Sequence, residues 1–226
     1  MERIQLQRSA VKLLTVADTF SILNAVLGFF AIVFAVKNSF WMAASFVLLA
    51  VLGDGADGVL ARRLNSGKLG ETFDSLADLT AFCIAPSIII LEDGVMDATL
   101  PFFVSLLVFY LIASIIRLSA FPVLKQKDRF LGLPVPAAGA TIVLLVILQC
   151  EWYVTMSALF IFSLLMISPL PFPKTGRFSS LIATLLIICT LVFKDLYNSI
   201  MPSLLLLSFL VYTALGPLYM WLHQKK

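Results

Sequence analysis

Four aspartates lie close together in an otherwise apolar part of the chain. Asp54 and Asp57 are three residues apart, and Asp74 and Asp78 are four apart, so each pair falls on one face of a helix. Acidic side chains are rare at membrane depth because each is costly to bury, and a cluster of them indicates a functional site. If the two helices face each other, four carboxylates meet at one point. Carboxylate oxygens are the ligands that hard divalent cations such as Mg²⁺ require.

The composition is that of a membrane protein. Of 226 residues, 61% are hydrophobic and 13% are charged, whereas a soluble domain usually carries about 25% charged residues. Cys83, Cys150 and Cys189 have no CxxC spacing, which argues against a zinc site or a disulfide. His223 is the only histidine and lies near the end of the chain, so we expect any general base to be an acid or a lysine.

Eight apolar stretches have the length of membrane-spanning helices or come close to it. They cover residues 16–36, 40–62, 70–91, 99–121, 133–150, 152–167, 179–193 and 200–222, of which the sixth and seventh are short. These stretches predict an all-α polytopic bundle of about eight transmembrane helices. We expect a single integral domain over residues 1–226.

Basic and acidic connections alternate along these eight stretches, which predicts the orientation in the membrane. One side collects most of the lysines and arginines, and the other has only Lys37 and Lys194 together with several acids. Loops rich in lysine and arginine stay in the cytoplasm. We therefore expect a cell-membrane protein with both termini in the cytoplasm. The loop between the two acidic helices, and hence the site, should face the cytoplasm too.

The aspartates belong to a longer pattern that resembles the signature of the CDP-alcohol phosphotransferases. Its eight fixed positions are Asp54, Asp57, Gly58, Ala61, Arg62, Gly70, Asp74 and Asp78. The resemblance implies a membrane enzyme in which an alcohol displaces CMP from a CDP-activated lipid. It also implies two divalent ions, Mg²⁺ or Mn²⁺, about 4 Å apart, and a homodimer. We expect no nucleic-acid partner.

The resemblance assigns roles to the acids of this pattern. Asp54, Asp57 and Asp74 are expected to ligate metal. Asp78 is expected to contact metal as well and to take the proton from the attacking hydroxyl, which a carboxylate does at neutral pH if it lies within hydrogen-bond reach. A set of buried ion pairs is the alternative for the four aspartates, but too few basic residues share their faces.

The CDP moiety is expected to contact a second group of residues. They are Asn24, Gly58, Ala61, Arg62, Ser66, Gly70 and Thr72. Arg62 suits a phosphate because its guanidinium presents a planar fork of donors. The small residues leave room for a nucleotide, although close helix packing also uses such residues. Asn24 would equally suit a hydrogen bond between helices, and Ser66 or Thr72 a helix cap.

The stretch FLGLPVPAA at residues 130–138 narrows the choice of acceptor. With Arg117 before it, this stretch resembles the phosphatidylserine synthase branch of the family, which includes archaeal enzymes acting on CDP-archaeol. Serine has a carboxylate that needs a cation, and Arg117, Lys127 and Arg129 are the candidates. Arg117 would equally suit a position at the membrane interface, with its charged end among the head groups.

The sequence thus predicts a CDP-lipid:L-serine phosphatidyltransferase that makes phosphatidylserine or archaetidylserine and releases CMP. One alternative is a relative that uses glycerol 3-phosphate or an inositol phosphate, for which Lys125, Lys127 and Arg129 would form a basic pocket. A more remote alternative is a membrane cation transporter built around the four aspartates. A transporter leaves the small residues and Arg62 unexplained.

Overall fold

The computed structural model describes residues 14–60, 70–94, 100–124, 129–174, 176–193 and 199–223, without the side chains of 16–17, 56–60, 177–178 and 223. Nine α-helices lie within those ranges. They are α1 (Val16–Val36), α2 (Phe40–Leu60), α3 (Gly70–Asp78), α4 (Ala85–Glu92), α5 (Leu100–Leu124), α6 (Val135–Ile147), α7 (Trp152–Ile167), α8 (Arg177–Val192) and α9 (Ile200–His223). A π-helical segment, Leu79–Ile84, joins α3 to α4. Residues 70–92 therefore form one continuous helix.

The helices agree with the predicted stretches when residues 70–92 are counted once. Four of the resulting eight are long and apolar enough to cross a membrane, and they cover residues 18–36, 70–92, 100–124 and 200–222. The other four contain shorter apolar helices of 10–17 residues. The prediction of a polytopic helical membrane protein is confirmed. The number of helices that cross the bilayer stays a prediction.

One short strand pair departs from the purely helical prediction. Strands β1 (Arg129–Leu131) and β2 (Pro171–Pro173) are antiparallel, with Phe130 opposite Phe172. The pair joins the connection before α6 to the connection after α7. Gly132 follows β1 with a φ of +76°, which glycine adopts without steric cost, and its N–H donates to the Leu170 carbonyl at 2.9 Å.

The core is centred on α6 and the π-helical segment. Apolar side chains occur on every face of α6, so this helix is buried along most of its length. The π-helical segment touches two other helices at glycines. A Cβ on Gly28 of α1 would lie 2.7 Å from the Cα of Ala81, and one on Gly139 of α6 would lie 2.5 Å from the Phe82 carbonyl oxygen. Small residues allow helix backbones to approach this closely.

The first helix begins with an acid that has a structural role. Thr15 and Asp18 form a capping box, in which the Thr15 N–H donates to Asp18 Oδ2 at 2.7 Å. Such a box satisfies backbone donors that the first turn of a helix leaves unpaired. Asp18 therefore has a capping role that is separate from the four aspartates of the motif.

Candidate metal and substrate site

Three of the four motif aspartates converge between α2 and α3. Asp54 on α2 and Asp74 and Asp78 on α3 each offer a carboxylate oxygen, and these oxygens lie within 4.8 Å of one another. Asp78 is buried, with 8% of its surface exposed, and the other two are half-buried. The four-residue spacing on α3 puts two acids on one face, as the sequence predicts. This group of oxygens suits a hard divalent cation.

The fourth aspartate, Asp57, lies on α2 one turn after Asp54. The helical spacing puts the two residues on the same face. The Asp57 side chain and the surroundings of Gly58 lie outside what the structure describes. Their predicted contacts with metal and nucleotide stay predictions.

The three converging aspartates, named here the acid wall (Asp54, Asp74 and Asp78), line a cavity of about 690 Å³. Sites for small molecules commonly have volumes of about 300–1,000 Å³. The lining is mostly apolar, with polar residues from five helices: Asp54, Asp74, Ser75, Asp78, Arg117, Ser179, Ser180, Thr184, Ser208 and Tyr212. A ligand with a charged head and apolar tails matches such a lining.

Arg117 of α5 lines the same cavity and is buried, with 7% of its surface exposed. Its guanidinium carbon lies 5.2 Å from the centroid of the Phe121 ring, within cation–π distance. Its Nε has no hydrogen-bond partner among the residues that the structure describes. A buried guanidinium with an open donor is suited to bind an anionic group such as a carboxylate.

Aromatic residues surround Arg117 and form, with it, the basic wall of the cavity (Arg117, Phe121, Phe130 and Tyr212). The ring centroids of Phe121 and Phe130 are 6.1 Å apart. The Tyr212 ring lies 5.9 Å from that of Phe172, and its hydroxyl donates to the Pro173 carbonyl at 3.1 Å. The strand pair thus carries Phe130 and holds α9 beside it.

Four other predicted residues are described by the structure but lie outside the lining of this cavity. Asn24 of α1 is buried against Gly53, the residue before Asp54, and its Oδ1 has no hydrogen-bond partner within the described part of the chain. Gly70 begins α3 and Thr72 is exposed in its first turn. Arg129 is half-buried on β1. None of these four is among the described residues that line the cavity.

Several predictions fall on residues outside the described ranges. Ala61, Arg62, Ser66 and Lys127 belong to this group. Their expected contacts with the nucleotide or the acceptor stay predictions.

The cavity also contains residues that the sequence did not predict, notably Tyr212 and the hydroxyl groups of α8. A signal was present in their spacing. Ser180 and Thr184 are four residues apart in one apolar helix, and Ser208 and Tyr212 are four apart in the next. Polar residues at this spacing share a helix face, which inside a membrane is expected to turn toward a cavity.

Comparison with known proteins assigns the chain to a family. Residues 14–167 match the family described as CDP-alcohol phosphatidyltransferase. An archaetidylserine synthase of Methanothermobacter thermautotrophicus is 36% identical over 164 residues, which cover 70% of this chain and 69% of that protein.

Two further relatives are named CDP-diacylglycerol–serine O-phosphatidyltransferase. The protein of Methanocaldococcus jannaschii is 30% identical over 164 residues, covering 72% of this chain and 76% of that protein. The protein of Helicobacter pylori is 32% identical over 170 residues, covering 70% and 71%. The matched residues 14–167 include the acid wall and Arg117. This chain belongs to the CDP-alcohol phosphatidyltransferase family.

Proposed function

We propose that this protein is a CDP-lipid:L-serine phosphatidyltransferase. One observation carries the proposal: the acid wall and the buried Arg117 line a single cavity. Three carboxylates suit the metal ions that a diphosphate needs, and an arginine suits the carboxylate of an amino acid. The names of the three relatives described above favour serine as the acceptor.

The acid wall is the proposed metal site. Asp54, Asp74 and Asp78 offer oxygens within 4.8 Å of one another, which fits the ligand needs of Mg²⁺ or Mn²⁺, and we include Asp57 from the same helix face. Two such ions, when bound, would neutralise the diphosphate and the charge that grows on the leaving phosphate. The nucleotide contacts proposed for Asn24, Gly58, Ala61, Arg62, Ser66, Gly70 and Thr72 rest on the family resemblance.

Asp78 is the proposed general base. It accepts the proton of the serine hydroxyl as the serine oxygen forms a bond to the lipid-linked phosphorus. The bond from that phosphorus to the bridging oxygen breaks, and CMP leaves with this oxygen. Because only 8% of its surface is exposed, the Asp78 carboxylate is largely shielded from bulk water. Such a carboxylate is effective once the hydroxyl lies within hydrogen-bond reach.

Arg117 is the proposed contact for the serine carboxylate. Two observations favour this role over a position among lipid head groups. The side chain is buried, and its Nε has no hydrogen-bond partner among the residues that the structure describes. Lys127 and Arg129 are proposed to add positive charge next to the basic wall. Arg129 precedes Phe130, whose ring lines the cavity.

The domain extent, the orientation in the membrane and the oligomeric state are also proposals. Helices α8 and α9 line the cavity together with α2 and α5, which favours one domain over residues 1–226. The alternation of charge favours eight spans with both termini and the site at the cytoplasmic face of the cell membrane. The family resemblance favours a homodimer.

The decisive experiment measures CMP release by the purified protein in detergent with Mg²⁺ and a CDP-lipid. L-serine, glycerol 3-phosphate and an inositol phosphate are compared as acceptors, each with a diacylglycerol and an archaeol lipid. We expect CMP release with L-serine and none with glycerol 3-phosphate or the inositol phosphate. Release only with a phosphorylated acceptor would refute serine and keep the transferase. No release with any acceptor, in Mg²⁺ or Mn²⁺, would refute the enzyme assignment.

A further inference from the structure

The π-helical segment begins directly after Asp78. In it, the Ala85 N–H donates to the Thr80 carbonyl five residues earlier, which is the hydrogen bond of a π-helix. Pro86 follows in the first turn of α4. Proline has no N–H to donate four residues back, and its ring clashes with the carbonyl there. The carbonyl in question is that of Phe82, which receives no hydrogen bond from Pro86 and accepts one from another donor.

Tyr110 of α5 is that donor. Its hydroxyl donates to the Phe82 carbonyl oxygen at 3.0 Å. Tyr110 and Phe82 are both fully buried, with 0% of their surfaces exposed, so bulk water and lipid do not reach this bond. Gly139 of α6 packs against the same oxygen. A Cβ at that position would lie only 2.5 Å from it.

The position of this segment is coupled to that of Asp78. The Cys83 thiol lies 3.7 Å from the Asp78 carbonyl oxygen, which connects the segment to the backbone of the acid. On the side of α1, Gly28 packs against Ala81. Three neighbouring helices thus hold the turn that immediately follows Asp78.

We propose that Tyr110 is a positioning residue that holds the Asp78 carboxylate in the acid wall through the Phe82 carbonyl and the π-helical turn. Without the hydroxyl, a buried carbonyl loses its partner, and leaving such a group unpaired is costly. The turn then shifts or rewinds to find a donor, and Asp78 moves relative to Asp54 and Asp74. Small displacements of reacting groups have large effects on rate. The expected change in CMP release rests on the proposed function, whereas the expected change in Mn²⁺ binding does not.

The first test is Tyr110→Phe in the full chain, purified in detergent. Mn²⁺ binding is measured by electron paramagnetic resonance without any substrate, alongside serine-dependent CMP release. We expect Mn²⁺ affinity and kcat each to fall roughly tenfold, the effect of losing one buried hydrogen bond, with KM for serine nearly unchanged. Unchanged Mn²⁺ affinity would overturn the inference. If the wild type shows no CMP release, the proposed function fails, and Mn²⁺ binding still decides the role of Tyr110.

Ser163→Ala is the matched control. Ser163 is fully buried on α7, and its hydroxyl donates to the Leu159 carbonyl of its own helix at 2.7 Å. The variant removes a buried hydroxyl away from the π-helical segment. We expect wild-type Mn²⁺ affinity and kcat. An equal loss in this control would mean that the Tyr110 effect is a general loosening of the bundle, and it would overturn the inference.

A double variant, Tyr110→Phe with Pro86→Ala, separates positioning from simple stability. The alanine that replaces Pro86 has an N–H, which pairs with the Phe82 carbonyl in an ordinary α-helical register. We expect the thermal unfolding temperature to recover, while Mn²⁺ affinity stays low because the π-helical turn is lost. Recovery of both would overturn the positioning role. If Tyr110→Phe alone does not fold, the double variant is compared with Pro86→Ala alone, and equal Mn²⁺ affinity in the two would overturn the inference.

Discussion

The two walls of the cavity hold their charged groups by different means. The acid wall lies on packed helices, and its neighbouring π-helical turn is fixed by glycine contacts and by the bond from Tyr110 to the Phe82 carbonyl. The basic wall combines Arg117 with aromatic rings, one of them carried by a strand pair between connecting segments. In both regions a tyrosine hydroxyl donates to a backbone carbonyl of another element, at 3.0 and 3.1 Å.

This difference suits the chemistry proposed for each wall. Metal ligands need fixed mutual distances, which packed helices supply. Recognition of an acceptor depends on shape and charge, and in the basic wall Phe130 lies on a connecting segment, which adjusts at less cost to the fold. Changes in the basic wall should therefore alter the choice of acceptor without weakening metal binding, whereas changes in the acid wall should lower turnover and weaken metal binding.

The largest effect is expected for Asp78→Asn. The amide cannot accept the hydroxyl proton, so turnover should fall roughly 10²- to 10⁴-fold. Mn²⁺ affinity should fall as well, because Asp78 is also a proposed ligand, while CDP-lipid binding at saturating Mg²⁺ stays largely intact. CMP release, Mn²⁺ binding and equilibrium binding of CDP-lipid measure these quantities. Near-normal turnover would refute the assignment of Asp78 as the base.

Asp74→Asn and Asp57→Asn sharpen this result because they change proposed ligands that are not the proposed base. Both should weaken metal-dependent CDP-lipid binding as well as turnover. Glu71→Gln is the control, since Glu71 is an exposed acid on α3 outside the cluster. If Glu71→Gln weakens binding as much as Asp74→Asn, the acids act by general charge and not as ligands.

Arg117→Gln should have the next largest effect, and this effect should be confined to binding of the acceptor. Losing a charge-assisted hydrogen bond costs about 2 kcal/mol, so KM for serine should rise roughly thirtyfold. Mn²⁺ affinity should not fall, since the variant removes a positive charge that interacts with Asp78. Ethanolamine has the hydroxyl and the ammonium of serine without its carboxylate, so any activity with ethanolamine should be the same in both proteins. A loss of Mn²⁺ affinity would show that the two walls are not independent.

The acid wall could be predicted from the sequence because helical periodicity encodes it. The spacing of Asp74 and Asp78 defines one face without knowledge of the fold, and the family resemblance built on the eight positions is confirmed by the match over residues 14–167. Pro86 was a visible signal inside the third predicted span. The spacing gave no sign that its missing N–H is replaced by a hydroxyl from α5, because that bond joins residues 28 positions apart.

The basic wall could be predicted only in part. Arg117 was visible as a basic residue near the end of an apolar stretch. The strand pair was not, because each strand has three residues and β2 contains two prolines, which disfavour strands. The contact of Tyr212 with the Pro173 carbonyl spans 39 positions and depends on how α9 packs beside β2. Tertiary packing, rather than local periodicity, assembles this wall.

The smallest effect is expected for Tyr212→Phe, the counterpart of Tyr110→Phe on the other wall. The variant keeps the ring beside Phe172 and loses one hydrogen bond of about 1 kcal/mol, so KM for serine should rise roughly fivefold. Mn²⁺ affinity should stay at the wild-type value. Tyr219→Phe is the control, because Tyr219 is exposed on the same helix. If Tyr212→Phe weakened Mn²⁺ binding as much as Tyr110→Phe, the two tyrosines would support one common structure, and the division of the cavity into separately held walls would be wrong.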